Sequence, residues 1–147
     1  MSMLKRLFSR APKEQPLSPQ RHPELGLLTW NQDADGWTGG LVHSEAQVAL
    51  YIGGGSAGQY PPAELAALLV EPAQLMEVRD LAAKTALFKA EVAHAVPPDI
   101  ALSALETYQH YLPSRAYVLV YESPSTSDVL WRVNFIGSRI ESCGCDD

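Results

Sequence analysis

Eleven prolines divide this chain more sharply than any other feature of it. A proline has no amide hydrogen and its ring crowds the preceding turn, so regular helices and central strands stop or bend where one occurs. Pro12, Pro16, Pro19 and Pro23 crowd the start, and Pro61-Pro62, Pro72 and Pro97-Pro98 punctuate the middle. Secondary structure therefore has to be fitted into the windows between them.

The window from Leu25 to Gly53 reads as a three-stranded meander. Leu25 to Asn31 leads into Asp33-Ala34-Asp35-Gly36, whose residues favour a tight reversal. Trp37 to His43 runs back, and after a turn at Ser44 and Glu45 the alternation of Val48, Leu50 and Ile52 predicts a third strand. Pro61-Pro62 with Glu64 is a helix-start signal, with Leu65, Leu68 and Leu69 as the buried face and Pro72 as an interruption. A longer helix is predicted over 73–95, its inward stripe being Leu75, Val78, Leu81, Ala82, Thr85, Phe88 and Val92. Asp99 is positioned to cap a third helix with Leu102, Leu105, Tyr108 and Leu112 inward. Ala116 to Tyr121 and Val129 to Ile136 return to strand chemistry, followed by a short strand over 139–141 and a tail holding Cys143 and Cys145.

The expected fold is thus α+β, an antiparallel sheet of five to six strands in the order βββ-ααα-ββ(β) with its helices on one face. Residues 1–23 read as a basic N-terminal extension, a short helix carrying Leu4, Leu7 and Phe8 followed by a Pro-rich flexible linker. The domain proper is expected to begin near Glu24 and run to Asp147 as one unit.

Charge divides the chain in the same place. Residues 1–23 carry five basic side chains against Glu14, a net +4, whereas the remainder carries six basic against sixteen acidic, a net −10. Phosphate contacts require clustered Lys and Arg, so an acidic body argues against nucleic acid as partner and suits a basic protein. No apolar run reaches membrane-spanning length, and the two cysteines lie too close in sequence to staple a fold, so a cytoplasmic protein without stable membrane insertion is expected.

Motifs that carry chemistry are weak throughout. Gly53, Gly55 and Gly58 have the spacing of a dinucleotide fingerprint, but Gln59 to Pro62 separate them from the next helix. Asn31, Asp33, Asp35 and Gly36 begin a calcium-loop pattern whose twelfth position is Val42 instead of a bidentate Glu. Two cysteines and four scattered histidines do not complete a metal site. No catalytic, cofactor-binding or metal-ligating residue is therefore assigned. Asp33 and Asp35, with Trp37 if exposed beside them, are candidates for contacting a basic partner, although strand tryptophans mostly pack in cores. Glu122, Arg132, Asn134 and Arg139 are the candidates for a polar pocket between sheet and helices, the feature that a small enzyme or ligand-binding domain would require.

The segments Leu25-Gly26-Leu27-Leu28-Thr29-Trp30 through Asp35-Gly36-Trp37-Thr38-Gly39, and Leu130-Trp131-Arg132-Val133-Asn134-Phe135-Ile136-Gly137, resemble those of small bacterial proteins of uncharacterised domain families. Some members are supposed to be toxin-immunity proteins. The resemblance covers about a fifth of the chain and implies a bacterial origin and a binding role. With the missing catalytic motif and the acidic body it leads to the expectation of a non-enzymatic protein-binding domain, neutralisation of a basic toxin being its most specific form, with a small enzyme or ligand-binding domain as the alternative.

Overall fold

The computed structural model describes residues 18–54, 63–90, 92, 94–126 and 128–146. Gly55, Gly58 and the predicted N-terminal helix lie outside the described residues. Eight strands lie side by side in sequence order: β1 (Gln20–His22), β2 (Gly26–Asn31), β3 (Gly36–His43), β4 (Ala46–Gly53), β5 (Ala101–Tyr108), β6 (Ala116–Glu122), β7 (Leu130–Ile136) and β8 (Arg139–Asp146). Neighbours are antiparallel except β4 and β5, which pair parallel from Ala49↔Ala104 to Gly53↔Tyr108. A parallel pair needs a long crossover, and α1 (Ala63–Gln74) and α2 (Met76–Lys89) supply it.

This mixed, mostly-sheet architecture replaces the expected five-to-six-stranded antiparallel sheet with three helices. The largest correction falls on residues 101–108, expected to be helical. Leu102 and Leu105 stand three apart, a helical spacing, yet both are buried on the same side of a strand. The register explains it: Leu102 pairs with Tyr121 and Ala104 with Val120, leaving Ser103 as an extra, bulged residue. A bulge inverts the alternation of faces, so a three-residue spacing becomes inward-inward within a strand. Only a short 3₁₀ turn at Gln109–Tyr111 remains of the predicted helix.

The ends of the sheet also depart from expectation. Gln20–His22, in the stretch read as linker, pairs with Leu28 to Gly26, and β8 continues through Cys143 and Cys145 to Asp146, in place of a tail. Pro72 lies inside α1, in its last turn, and the break between the helices falls at Leu75 instead.

One face of the sheet is packed beneath the helices. Leu28, Trp37, Leu50, Ile52, Leu105, Leu119, Trp131, Val133 and Phe135 meet Leu65, Leu69, Met76, Ala83 and Leu87 in a single core. Trp131 closes one end by donating its indole N–H to the His94 carbonyl at 3.2 Å. The opposite face has no helix over it among the described residues. There Ala104, Val118 and Val120 form a small second cluster, with Tyr111 and Leu130 packed against it.

Candidate interaction surface

Helix α2 presents the wrong side to the sheet by the measure of its own sequence. Its buried residues are Met76, Arg79, Asp80, Ala83 and Leu87, two of them charged. Most of the apolar stripe expected to face inward instead faces out: Leu75 is 43%, Val78 58%, Leu81 70% and Phe88 53% exposed, while Leu87 is 0%. Of the expected stripe, Ala82 is half-buried and Val92, beyond the helix, packs against the core. A single exposed leucine needs no explanation, but Val78, Leu81 and Phe88 on α2, with Leu75 at its N-cap, set four large apolar side chains along one exposed side, a ridge.

The inversion is held by polar partners waiting on the strands. The Tyr121 hydroxyl donates to Asp80 Oδ1 at 2.7 Å, His43 Nε2 lies 3.1 Å from Asp80 Oδ2, and Lys84 Nζ stands 3.5 Å from the same oxygen. At the preceding residue, Arg79 Nε donates to the Tyr117 hydroxyl at 3.0 Å and Arg79 Nη2 to Glu71 at 2.8 Å, and Tyr117 donates onward to the Gly137 carbonyl at 2.5 Å. Buried charges are tolerated only when partnered in this way. Rotating α2 to bury Leu81 and Phe88 would leave Tyr121 and Tyr117 without the charged groups that they meet.

Burial, reinforced by the hydrogen bond to Asp80, pushes the Tyr121 hydroxyl well above the ordinary tyrosine range. Burial likewise raises Tyr117, against the lowering influence of Arg79. An unfolded tyrosine ionises near pH 10, so the stability linked to these raised groups is complete below about that pH and is lost as pH climbs beyond it. Denaturant midpoints measured across the alkaline range are expected to hold steady to about pH 10 and then fall, with phenolate absorbance lagging behind a free-tyrosine titration. Unchanged midpoints with ordinary tyrosine titration would contradict the buried arrangement.

The helix-free face carries a second constellation. Tyr108 donates to Glu106 at 2.6 Å, Arg132 Nη1 lies 3.5 Å from the same Glu106 oxygen, and Arg132 Nε pairs with Asp146. Desolvation alone would lower Arg132, but Asp146 and Glu106 outweigh it and its pKa is raised. Tyr51, Tyr108, Tyr111 and His110 meet edge-on or tilted at 4.4–5.5 Å, over glycines that make room for them. A Cβ on Gly53 would stand 2.6 Å from the Tyr108 ring, so this contact requires glycine. The charges of this face answer one another, which leaves little for a ligand to satisfy.

The expected site residues do not converge. Asp33 and Asp35 are exposed in the β2–β3 turn, where the Asn31 side chain accepts the Ala34 amide and the Tyr51 hydroxyl bonds to the Ala34 carbonyl. Asp35 takes a left-handed φ of 53°, as a hairpin turn asks. Trp37 is 1% exposed and packs edge-on against Trp30 at 5.8 Å, so it is a core residue and not the aromatic partner of those carboxylates. Arg132 and Asn134 alternate with buried Trp131, Val133 and Phe135 and therefore point away from the helices. A pocket between sheet and helices cannot include them. Asn134 bonds Ser142 at 2.9 Å, and Arg139 pairs with Glu141 at the surface. Glu122 lines a separate cleft of about 490 Å³ with Gln47, Leu102 and Ser123.

The outward ridge on α2 is the surface that sequence reasoning missed. Its signal lies in the spacing of Leu75, Val78, Leu81 and Phe88, which marks an apolar side but not the direction in which that side faces. Among the described residues no three or more His, Cys, Asp or Glu side chains group into a metal site, and no helix is long and apolar enough to cross a membrane. Compared with known protein families, with curated proteins and with solved structures, the chain matches none.

Proposed function

We propose that this chain is a non-enzymatic protein-binding domain, and that the ridge of Leu75, Val78, Leu81 and Phe88 on α2 is where its partner docks. One observation carries this reading: the helix keeps its apolar stripe in water while burying Arg79 and Asp80. Exposed apolar area of this kind is costly for solubility and is characteristic of surfaces that meet another protein. Residues spaced three and four apart along a helix are suited to a groove or to a second helix lined with aliphatic side chains. The net −10 of residues 24–147 favours a partner with a basic rim, because charge complementarity accelerates encounter and rejects acidic competitors. Neutralisation of a basic toxin is the most specific form of this proposal.

The test is capture by the full chain from cells that make it, compared with a Leu81→Glu/Phe88→Glu variant and an Asp33→Lys/Asp35→Lys variant. Since Leu81 and Phe88 are exposed, the first variant is expected to unfold within about 0.5 kcal/mol of the parent. A partner held by the parent and by the turn variant, but lost from the ridge variant, is the expected result. Retention by the ridge variant would remove α2 from the interface, and loss only from the turn variant would move the interface to the β2–β3 hairpin.

A further inference from the structure

The two edges of the sheet are unequal. β1 is three residues long and lies between Pro19 and Pro23, which blunt it as a pairing surface. β8 is eight residues long, contains no proline, and pairs with β7 on one side only among the described residues. Its outer edge offers backbone groups that a further strand could take up.

The faces of β8 constrain what that strand can be. Ile140, Cys143 and Cys145 pack toward the core, while Arg139, Ser142, Gly144 and Asp146 lie opposite Ile136, Asn134, Arg132 and Leu130, on the helix-free side. Glu141 is the extra residue at a bulge, because Ile140 pairs with Phe135 and Ser142 with Asn134. A second β8 laid antiparallel about a two-fold axis at Cys143 then matches face to face at each paired position. Ser142 meets Gly144, Ile140 meets Cys145 across the bulge, and Arg139 meets Asp146, with every pair occurring twice. Antiparallel partners of opposite charge attract, whereas a shift of the register by one residue would set core-side positions against helix-free-side ones.

We propose that the chain forms a symmetric dimer by β8–β8 pairing in this register, joining two sheets into one. Arg139 and Asp146 act as reciprocal charge clamps, and the two Cys143 side chains face each other on the axis. Directly opposed antiparallel residues have Cα atoms about 4.5–5.5 Å apart, inside the range that a disulfide spans. This surface is separate from the ridge on α2, and the proposal stands whether or not that ridge binds a partner.

The experiment is sedimentation equilibrium of the full chain under reducing conditions, with Arg139→Glu, Asp146→Arg and the doubly exchanged variant, each checked for cooperative unfolding. The parent is expected to be dimeric, and each single exchange to weaken the dimer about tenfold or more. The double exchange should restore it to within about threefold. Asp146→Arg also disturbs the Arg132 pair within its own chain, but so does the double exchange, so rescue reports only the contact between chains. In parallel, the diazene oxidant diamide accepts two electrons and two protons from a pair of thiols as their disulfide forms. Its cross-linked dimer should survive Cys145→Ser and vanish with Cys143→Ser. A parent that stays monomeric at the highest soluble concentration, a dimer indifferent to the charge exchanges, or cross-linking through Cys145 overturns the proposal.

Discussion

Asp80→Ala is expected to lower unfolding free energy by about 2–3 kcal/mol, the cost of leaving a buried hydroxyl without its charged hydrogen-bond partner. Asp80 is 8% exposed and answers three groups at once: the Tyr121 hydroxyl, the His43 imidazole and the Lys84 ammonium. Alanine would leave the wholly buried Tyr121 hydroxyl near only the Asp80 backbone carbonyl at 3.4 Å, a poor substitute for 2.7 Å to a carboxylate. Against a total stability of about 5–15 kcal/mol for a domain of this size, the loss is large enough to unfold much of the population on warming. Asp80→Asn keeps an oxygen for Tyr121 and should cost distinctly less. Chemical denaturation of the two variants beside the parent checks both the size and the order, and a cost below about 0.5 kcal/mol for both would show that the carboxylate is not the anchor of α2.

The second large effect contrasts two leucines on the same helix. Leu87→Ala should cost about 2–5 kcal/mol, since Leu87 is wholly buried among core side chains and its loss leaves a cavity. Leu81→Ala should change stability by no more than about 0.5 kcal/mol, because 70% of Leu81 already faces water. Reading the helix from its apolar periodicity predicts the reverse for Leu81, so the pair distinguishes the two orientations without any partner. Urea or guanidinium unfolding with unchanged slopes suffices for the comparison.

What could be read from the sequence was the part in which local chemistry and tertiary structure agree. The meander of β2, β3 and β4 followed from its turn residues and from the alternation of Val48, Leu50 and Ile52, all of which are buried. The α1 stripe of Leu65, Leu68 and Leu69 behaved as amphipathic spacing predicts. Failure came where a local pattern had two physical solutions. Leu102 and Leu105 are a helical pair or a bulged strand pair, and only pairing with β6 decides which. The stripe of α2 is a core face or a docking face, and the decision lies with Tyr117, Tyr121 and His43, which are 37 or more residues away in sequence from the charged groups of α2 that they bind.

The candidate surface was legible to the same degree. Spacing revealed that α2 had an apolar side, but hydrophobicity alone sends such a side inward, and no charge count reveals that Arg79 and Asp80 have partners waiting on the strands. Chemical type alone points instead to Asp33, Asp35, Trp37, Glu122, Arg132, Asn134 and Arg139. The fold disperses them over a hairpin turn, the core, a cleft and the helix-free face.

The direction of the α2 stripe can be measured directly by solvent paramagnetic relaxation of methyl signals, using a neutral gadolinium chelate that broadens only what it can approach. The account predicts strong broadening for the methyls of Leu75, Val78 and Leu81, and protection for those of Leu65, Leu69 and Leu87. Broadening of Leu87 with protection of Leu81 would mean that α2 buries its apolar side, and the proposed docking ridge would not exist.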